Sequence, residues 1–301
     1  MPELPEVENL RLGLEKYILG QKIKSVVVTK PKLVSGKGTL RSASPKKVKE
    51  FIQGLTGEKF VAIERRAKNL VFKLSNGKIL IAHLKMTGQF VYKDKNSKNK
   101  NDVVGGHPIE ISEKTLPNKH THIIFDLHSG TLYFNDTRMF GYVLFYPNEK
   151  SFEKEGHFKD YGVEPLSTDF TLKYFAGSLK NKKGSIKTLL MNQDIVTGIG
   201  NIYADESLFQ AKINPKRSGD SLKPNEVKVL HEKIVSILKR AVKVGGSSVA
   251  TYRLIDNSQG NYAREHKVYG KAGKSCVNCG TKLEKTTIQS RTTIFCPKCQ
   301  K

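Results

Sequence analysis

The sequence predicts an α+β fold: an N-terminal antiparallel β-sandwich that carries an N-terminal helix, followed by a C-terminal helical domain that ends in a zinc ribbon hairpin. Three observations predict it. Short runs of β-branched and aromatic residues fill the first half, apolar residues recur at helical spacing in the second half, and all four cysteines lie in the last 26 residues. A chain of 301 residues is long enough for two domains with separate cores.

An unusual stretch opens the chain, reading Met1-Pro2-Glu3-Leu4-Pro5-Glu6-Val7-Glu8. Because Met1 precedes a small residue, we expect its removal, which leaves Pro2 with a free secondary amine. An α-amino group titrates at roughly 7.7 to 8.0, so part of it is unprotonated near neutral pH and can attack a sugar carbon. A structural alternative also fits this stretch taken alone: the prolines set the entry angle of a helix, and the carboxylates complement its dipole.

The first half of the chain reads as one helix and a series of strands. Val7, Leu10, Leu14 and Ile18 recur at helical spacing and predict a helix over residues 5 to 19 that stops at Gly20. The predicted strands are Ile23 to Thr29, Phe60 to Glu64, Leu70 to Leu74, Ile79 to Leu84, Ile123 to Leu127, Leu132 to Phe134 and Tyr142 to Tyr146. Asn76-Gly77 and Ser129-Gly130 supply hairpin turns. The lysine-rich stretch from Val91 to Asn118 is predicted to be a long surface loop.

From about residue 150 the pattern becomes helical. Predicted helices cover Asp169 to Leu179, Ile186 to Met191, Tyr203 to Phe209 and the stripe Val227, Leu230, Ile234, Ile237 and Ala241. The turn Thr197-Gly198-Ile199-Gly200-Asn201 opens the third of these helices, so its N–H groups are a candidate phosphate seat, although two glycines between helices are also an ordinary turn. Residues Gly245 to Ala263 are predicted to be a loop.

The cysteines have the spacing of a four-thiolate zinc site. Cys276-x-x-Cys279 is followed after sixteen residues by Cys296-x-x-Cys299. Two disulfides are the alternative arrangement. Disulfides are typical of secreted proteins, and nothing marks this chain as secreted, so we favour zinc. Four protein ligands complete the coordination shell, so the predicted cofactor is one structural Zn²⁺ ion.

The charge indicates a polyanionic partner. Lys and Arg number 52 against 28 Asp and Glu, which gives a formal net charge of +24. An anionic membrane would also attract such a chain, but no apolar run approaches the length of a membrane span, and the N-terminus is acidic. We therefore expect a soluble, cytoplasmic protein that binds nucleic acid and no membrane.

Several segments together resemble the formamidopyrimidine-DNA glycosylases, bifunctional base-excision enzymes related to the endonuclease VIII type, and the resemblance covers nearly the whole chain. Besides the N-terminal stretch, the segments are Arg65-Arg66-Ala67-Lys68-Asn69-Leu70, His83-Leu84-Lys85-Met86-Thr87-Gly88, Asn135-Asp136-Thr137-Arg138-Met139-Phe140-Gly141, Gly198-Ile199-Gly200-Asn201-Ile202-Tyr203-Ala204-Asp205-Glu206 and Val268-Tyr269-Gly270. The resemblance implies a catalytic β-sandwich over residues 1–149, a helix-two-turn-helix DNA-binding domain with a lesion-side loop over 150–262, and a zinc ribbon over 263–301.

The resemblance also implies the chemistry. Pro2 would attack C1′ of the damaged nucleotide, expel the base and form a Schiff base, and Glu3 would move protons during ring opening and β,δ-elimination. Glu6 is similar to a supporting carboxylate of the family. Lys68 would contact the phosphate or the lesion, a role that its motif alone supports, since single lysines are common in so basic a chain.

Five further residues match DNA-contacting positions of the family. Met86, Arg138 and Phe140 would fill the gap left by the extruded nucleotide, because flipping a base requires something to replace its stacking. Without the motif, ordinary core packing would explain Met86 and Phe140 better. Asn201 and Arg291 would hold DNA phosphates. The implied partner is double-stranded DNA with oxidised bases or abasic sites, bound by a monomer.

Three departures from the family pattern lie in the two loops that carry Met86, Arg138 and Phe140. We call these three residues the wedge, because they would fill the gap left by the extruded nucleotide. The family usually has glycine where Lys85 stands and proline where Thr137 stands, and Met139 replaces a commonly basic residue. We expect these changes to alter the geometry of the loops that carry Met86 and Arg138, and with it the preference for the opposite base.

Three hypotheses follow for the function. The first is a DNA glycosylase and lyase for 8-oxoguanine and formamidopyrimidines, which Leu4 favours over an endonuclease VIII-like enzyme for oxidised pyrimidines, because that branch typically has glycine there. The second is a non-catalytic damaged-DNA-binding protein, which would be expected to lack Pro2 or Glu3. The third is an unrelated zinc-ribbon RNA-binding protein, which leaves the first eight residues unexplained.

Overall fold

The computed structural model describes residues 1–38, 41–95, 103–106, 116–247 and 260–301, with backbone alone for 103–106. The chain divides into two compact units. The first unit comprises Met1–Pro2, Glu6–His157 and Gly245–Gly260, and the second unit comprises Glu3–Pro5, Phe158–Val244 and Asn261–Lys301.

The elements of both units follow in chain order. The α-helices are α1 (Leu4–Ile18), α2 (Pro45–Leu55), α3 (Glu149–Glu155), α4 (Leu172–Leu179), α5 (Ile186–Met191), α6 (Asn201–Gln210), α7 (Pro224–Lys243) and α8 (Tyr262–Glu265). The strands are β1 (Ile23–Val28), β2 (Phe60–Arg66), β3 (Asn69–Leu74), β4 (Ile79–His83), β5 (Gly88–Asp94), β6 (Val103–Gly106), β7 (Thr121–Leu127), β8 (Gly130–Asp136), β9 (Tyr142–Tyr146), β10 (Glu284–Ile288) and β11 (Arg291–Phe295).

The first unit contains two antiparallel sheets, as the sequence predicts. The strand orders are β1-β7-β8-β5-β6 and β2-β3-β4-β9. A row of aromatic rings joins the sheets: Phe72 of β3 lies 5.9 Å from Phe90 of β5, which lies 5.0 Å from Phe134 of β8. The predicted stripe of α1 is buried in the same core, with Val7, Leu10 and Ile18 at most 1 % exposed. The helix therefore covers the sandwich with the face that the sequence predicts.

Helices α2 and α3 and strands β5 and β6 of the first unit were not predicted from the sequence. Helix α2 is capped by Ser44, whose side chain accepts from Lys47 N–H at 3.3 Å, and it packs Phe51 and Leu55 into the core. The prediction of a loop from Val91 to Asn118 is wrong at two places, because residues 91–94 belong to β5, which pairs with β8 on one side and with β6, Val103–Gly106, on the other. Residues 96–102 and 107–115 of that stretch lie outside the described residues.

The second unit is helical and ends in the β10-β11 hairpin. Its core includes the predicted stripe of α7, from Val227 to Ala241, together with residues of α4, α5 and α6. Helix α4 starts later than predicted because Thr171 caps it, accepting from Tyr174 N–H at 3.1 Å. The sequence predicts a loop over residues 245–263. Of these, residues 248–259 lie outside the described residues, and Tyr262 is the first residue of α8.

No helix among the described residues is both long and apolar enough to span a bilayer.

Candidate active site

The carboxylate of Glu3 is held at the N-terminus of α6 in the second unit. Oε2 accepts from Gly200 N–H at 2.8 Å and from Tyr203 N–H at 3.4 Å, and Oε1 accepts from Ile202 N–H at 2.9 Å. The first N–H groups of a helix have no partner within the helix, and the helix dipole favours a negative charge there. The side chain is buried, so these donors fix it in one position.

The two glycines before α6 make room for this contact. A Cβ on Gly200 would lie 2.5 Å from Glu3 Cδ, and a Cβ on Gly198 would lie 2.7 Å from Leu4 Cβ. Gly198 also has φ +82, in the left-handed region. Leu4 N–H donates to Gly198 carbonyl at 3.0 Å. The N–H groups at the turn that the sequence makes a candidate phosphate seat donate in this structure to the carboxylate of Glu3.

Two of the predicted phosphate-binding residues lie near each other. Asn201, the first residue of α6, donates from Nδ2 to the carbonyl of Thr292 in β11 at 3.0 Å. Thr292 follows Arg291, which is exposed at the start of that strand. Burial and the charge of Glu3 raise the pKa of the nearby Tyr269, so this phenol stays neutral at physiological pH. Asn201 and Arg291 therefore belong to one region of the second unit.

The four cysteines form one cluster. Their sulfur atoms all lie within 4.8 Å of one another, with Cys276 Sγ 3.9 Å from Cys299 Sγ and Cys279 Sγ 3.5 Å from Cys296 Sγ. A tetrahedral zinc site with bonds of about 2.3 Å has sulfur separations of about 3.8 Å. Backbone N–H groups point at two of the sulfurs, at 3.4 Å each, which stabilises thiolate charge. The cluster can hold a metal ion, and no disulfide forms among these residues.

In the first unit, Pro2 is buried beside the exposed Met1. Glu6, four residues on, is also buried, and its Oε1 accepts from Ser247 N–H at 2.7 Å. Gly246 has φ +77, and a Cβ there would lie 2.8 Å from Glu6 Oε1. The carboxylate of Glu6 thus holds the backbone that follows α7.

Lys68 lies in the tight turn between β2 and β3 and is buried. The residue before it, Ala67, has φ +55. Strand β4, which pairs with β3, carries His83 directly opposite Asn69. Burial and the charges of Lys85 and Lys68 lower the pKa of His83 well below its usual range. His83 Nδ1 accepts from Lys85 N–H at 3.0 Å, so the neutral ring carries its proton on Nε2.

The turn with Met86 and the loop with Arg138 lie side by side. The Met86 side chain is 39 % exposed. Arg138 Cζ lies 4.6 Å from the centre of the Phe140 ring, a cation–π contact. Asp136 joins the two segments: its Oδ1 accepts from Thr87 Oγ1 at 2.5 Å and from Arg138 N–H at 3.2 Å. The two segments that carry Met86, Arg138 and Phe140 are therefore joined within the first unit.

Comparison with known proteins decides the family. Residues 1–143 match the formamidopyrimidine-DNA glycosylase N-terminal domain, and residues 161–253 match the formamidopyrimidine-DNA glycosylase H2TH domain. The chain belongs to the formamidopyrimidine-DNA glycosylase family. A curated relative from Listeria innocua, named formamidopyrimidine-DNA glycosylase, is 41 % identical over the full length of both chains.

Solved structures of the family share the fold. A mutant of the Lactococcus lactis enzyme in complex with a DNA containing Fapy-dG aligns over 100 % of both chains with a TM-score of 0.84 and 35 % identity. The L. lactis enzyme in complex with DNA containing an abasic site aligns over 99 % of both chains with a TM-score of 0.83 and 33 % identity.

The departures from the pattern of the formamidopyrimidine-DNA glycosylases have a structural consequence. Lys85, where the family usually has glycine, has φ +51, and Met139 has φ +54. A non-glycine residue in this region costs about 1 to 3 kcal/mol. Lys85 Nζ lies 5.8 Å from the Tyr142 ring, a contact that partly offsets this cost.

Three buried charged residues of the second unit join its elements, and they were not singled out from the sequence. Lys187 Nζ lies 2.6 Å from Asp205 Oδ1 with both side chains 1 % exposed, and Asp205 Oδ2 accepts from Ile294 N–H of β11 at 3.2 Å. Glu206 accepts from the N–H groups of residues 267 to 269 at 2.9 to 3.0 Å. The signal that could have indicated Lys187, Asp205 and Glu206 is the presence of charged residues among the buried positions of α5 and α6.

Proposed function

We propose that this chain is a bifunctional DNA glycosylase and abasic-site lyase that removes oxidised purines, namely 8-oxoguanine and formamidopyrimidines, from duplex DNA. The observation that carries the proposal is the fixed carboxylate of Glu3, the residue that follows Pro2 in the sequence. It accepts from three N–H groups at the start of α6, those of Gly200, Ile202 and Tyr203. Membership of the family and the damaged DNA bound to the L. lactis enzymes support the substrate.

The proposed chemistry starts at the Pro2 amine, which Met1 removal exposes. The nitrogen forms a bond to C1′, and the bond from C1′ to the base breaks, so that the base leaves with a proton. Opening of the bond from C1′ to O4′, with protonation of O4′, gives an iminium. Loss of the C2′ proton then breaks the bond from C3′ to oxygen and expels the 3′ phosphate, and loss of the C4′ proton breaks the bond from C5′ to oxygen and expels the 5′ phosphate. Water finally hydrolyses the remaining iminium, which frees the Pro2 amine. Glu3 is the proposed proton carrier in these steps.

The remaining residues have supporting roles in the proposal. Lys68 contacts the phosphate or the lesion, and Glu6 holds the backbone at Ser247. Met86, Arg138 and Phe140 fill the space left by the flipped nucleotide, which costs a few kcal/mol to unstack. Asn201 and Arg291 hold phosphates. We propose a cytoplasmic monomer in which residues 1–149, 150–262 and 263–301 serve as the catalytic, DNA-binding and ribbon segments.

For the cysteine cluster we propose one structural Zn²⁺ ion. Cys276, Cys279, Cys296 and Cys299 would supply all four ligands. A site closed by four protein ligands leaves no position for substrate or water. The ion would therefore fix the hairpin that carries Arg291 and take no part in bond breaking.

One feature favours oxidised purines over the pyrimidines of an endonuclease VIII-like enzyme. Leu4 is fully buried and fills the space above Gly198, whereas the endonuclease VIII branch typically has glycine at this position. A binding-only protein is the other alternative. The presence of both Pro2 and the fixed Glu3 argues against it.

The experiment compares four duplexes that differ in one nucleotide: 8-oxoguanine, formamidopyrimidine, an abasic site or an oxidised pyrimidine. The proposal predicts strand cleavage and borohydride-trapped protein on the first three. Faster cleavage of the oxidised pyrimidine would favour the endonuclease VIII-like alternative. Tight binding to the abasic duplex with neither cleavage nor trapping would contradict the enzymatic proposal altogether.

A further inference from the structure

Arg41 lies between the 3₁₀ helix Pro31–Val34 and α2, and its guanidinium contacts three consecutive carbonyls of another loop. Nη2 donates to the carbonyl of Met139 at 3.0 Å and to that of Gly141 at 2.5 Å, and Nη1 donates to that of Phe140 at 3.4 Å. The guanidinium also donates to the carbonyls of Lys32 at 2.6 Å and Gly38 at 2.6 Å. All five hydrogen bonds go to main-chain oxygens.

Asp136 holds the same loop through its N–H groups. This carboxylate is 0 % exposed, and it accepts from Arg138 N–H at 3.2 Å and from Gly141 N–H at 2.7 Å. A Cβ on Gly141 would lie 2.9 Å from Asp136 Oδ2. The loop thus has the N–H groups of Arg138 and Gly141 on a buried carboxylate and the carbonyls of residues 139 to 141 on a half-buried cation.

This pair of contacts explains how the loop keeps an unfavourable conformation. Met139 has φ +54, which costs about 1 to 3 kcal/mol for a side chain other than glycine. Such a conformation persists only where the surroundings fix it. Arg138 stacks on Phe140 within this same loop, with Arg138 Cζ 4.6 Å from the centre of the ring.

We propose that Arg41 is a positioning residue that preforms the Arg138–Phe140 wedge before DNA binds. The inference rests on the proposed function, in which this wedge replaces the flipped nucleotide. A preformed wedge leaves less conformational freedom to lose at binding, so more of the binding energy goes to unstacking the DNA. Lysine cannot replace arginine here, because one ammonium group cannot span three carbonyls as the planar guanidinium does.

The test separates unstacking from bond chemistry. Wild-type protein, Arg41→Ala and Arg41→Lys are compared on an abasic site in duplex DNA and on the same site in single-stranded DNA, where no wedge is needed. Base unstacking is followed by the fluorescence of 2-aminopurine next to the site, and the Schiff base by borohydride trapping. We expect both variants to be about 10- to 100-fold slower on the duplex in unstacking and trapping, as for a catalytic element misplaced by an ångström. Trapping on the single strand should equal that of wild type.

A double-mutant cycle shows whether Arg41 acts through the wedge. Phe140→Ala should itself be slow on the duplex, and adding Arg41→Ala to it should cost little more. Arg240→Ala, which removes an exposed cation paired with Glu265, is the charge-matched control and should behave as wild type. Thermal melts establish that each variant is folded. If Arg41→Ala does not fold, Arg41→Lys, which keeps the positive charge, replaces it in the cycle.

Three outcomes would overturn the inference: equal losses on both DNA forms, additive losses in the cycle, or full duplex activity of Arg41→Ala. If wild-type protein itself forms no adduct on the abasic duplex, the proposed function fails instead. The two failures are therefore distinguishable.

Discussion

Glu3 and Gly200 are 197 positions apart in the sequence, yet Gly200 N–H donates to Glu3 Oε2 at 2.8 Å. The contact requires glycine, because a Cβ at position 200 would lie 2.5 Å from Glu3 Cδ and 2.6 Å from Glu3 Oε1. The position of the carboxylate therefore depends on the absence of one methyl group on a different element.

The first prediction concerns this methyl group. Gly200 has φ −133, which alanine adopts freely, so Gly200→Ala should act only through its contact with Glu3. We expect kcat for base excision to fall about 10- to 100-fold because the carboxylate is displaced. Steady-state cleavage of an 8-oxoguanine duplex measures this, with binding measured separately.

The matched control is Gly177→Ala in α4, where nothing lies within 4 Å of the added Cβ. This change should leave activity intact and stabilise the helix by roughly 0.5 to 1 kcal/mol. Unaltered kcat in Gly200→Ala would show that the observed position of Glu3 is irrelevant to catalysis.

The second prediction concerns the buried pair of Lys187 and Asp205. Burial raises the pKa of Asp205 to about 7, and the ammonium of Lys187 opposes this rise. Lys187→Met leaves the carboxylate unpaired, so we expect a loss of about 3 to 5 kcal/mol in the free energy of unfolding near pH 8. Denaturant melts of both proteins at several pH values measure the difference.

The sign of the pH dependence follows from the raised pKa of Asp205. A carboxyl group whose pKa is higher in the folded state stabilises the fold fully below its unfolded pKa of about 4, and this contribution is lost as pH rises through the folded pKa. Without Lys187 the folded pKa rises further above 7. The deficit of Lys187→Met should therefore shrink as pH falls from about 8 to about 5.5. A deficit that is constant with pH would refute this account.

The sequence predicts most of the fold because the periodic patterns are strong. The α1 stripe and the α7 stripe are buried as predicted. Helix α2 was predictable too: Ser44-Pro45 is a helix start, and Val48, Phe51, Ile52 and Leu55 have helical spacing. Strand β5 was missed because its apolar residues adjoin a lysine-rich stretch, although it pairs on both sides.

The site is less predictable, because it depends on contacts between distant residues. The spacing of the cysteines is local, and their clustering could be predicted from it. Nothing local indicates that Glu3 caps α6 or that Arg41 binds the carbonyls of residues 139 to 141. Such contacts form only once the chain is folded, since each joins a side chain to main-chain groups that have no sequence signature.

The third prediction concerns the metal. Protein purified without chelators should contain one zinc per chain, with zinc–sulfur distances of about 2.3 Å by X-ray absorption. Cys296→Ser, at a fully buried ligand, should lower DNA affinity and local stability. Any residual cleavage should still depend on Pro2. Zinc-free protein with normal DNA affinity would refute the site.

The fourth prediction concerns salt. If Arg291 holds a phosphate, Arg291→Ala should reduce the slope of log affinity against log salt by about 1. Asn201 carries no charge and donates to Thr292 carbonyl, so Asn201→Ala should weaken binding with little change in slope. Titrations at several salt concentrations measure both. Equal slopes for Arg291→Ala and wild type would mean that Arg291 contacts no phosphate.

The central claim is that the amine of Pro2 is the nucleophile, and the rival is a lysine, above all the buried Lys68. The most direct measurement is peptide mapping of the protein trapped by borohydride on 8-oxoguanine duplex DNA. We expect the mature chain to begin at Pro2 and to carry the adduct on that residue. Retained Met1 or an acetylated N-terminus should abolish trapping without abolishing binding. An adduct on Lys68, or full activity with the amine blocked, would contradict the claim.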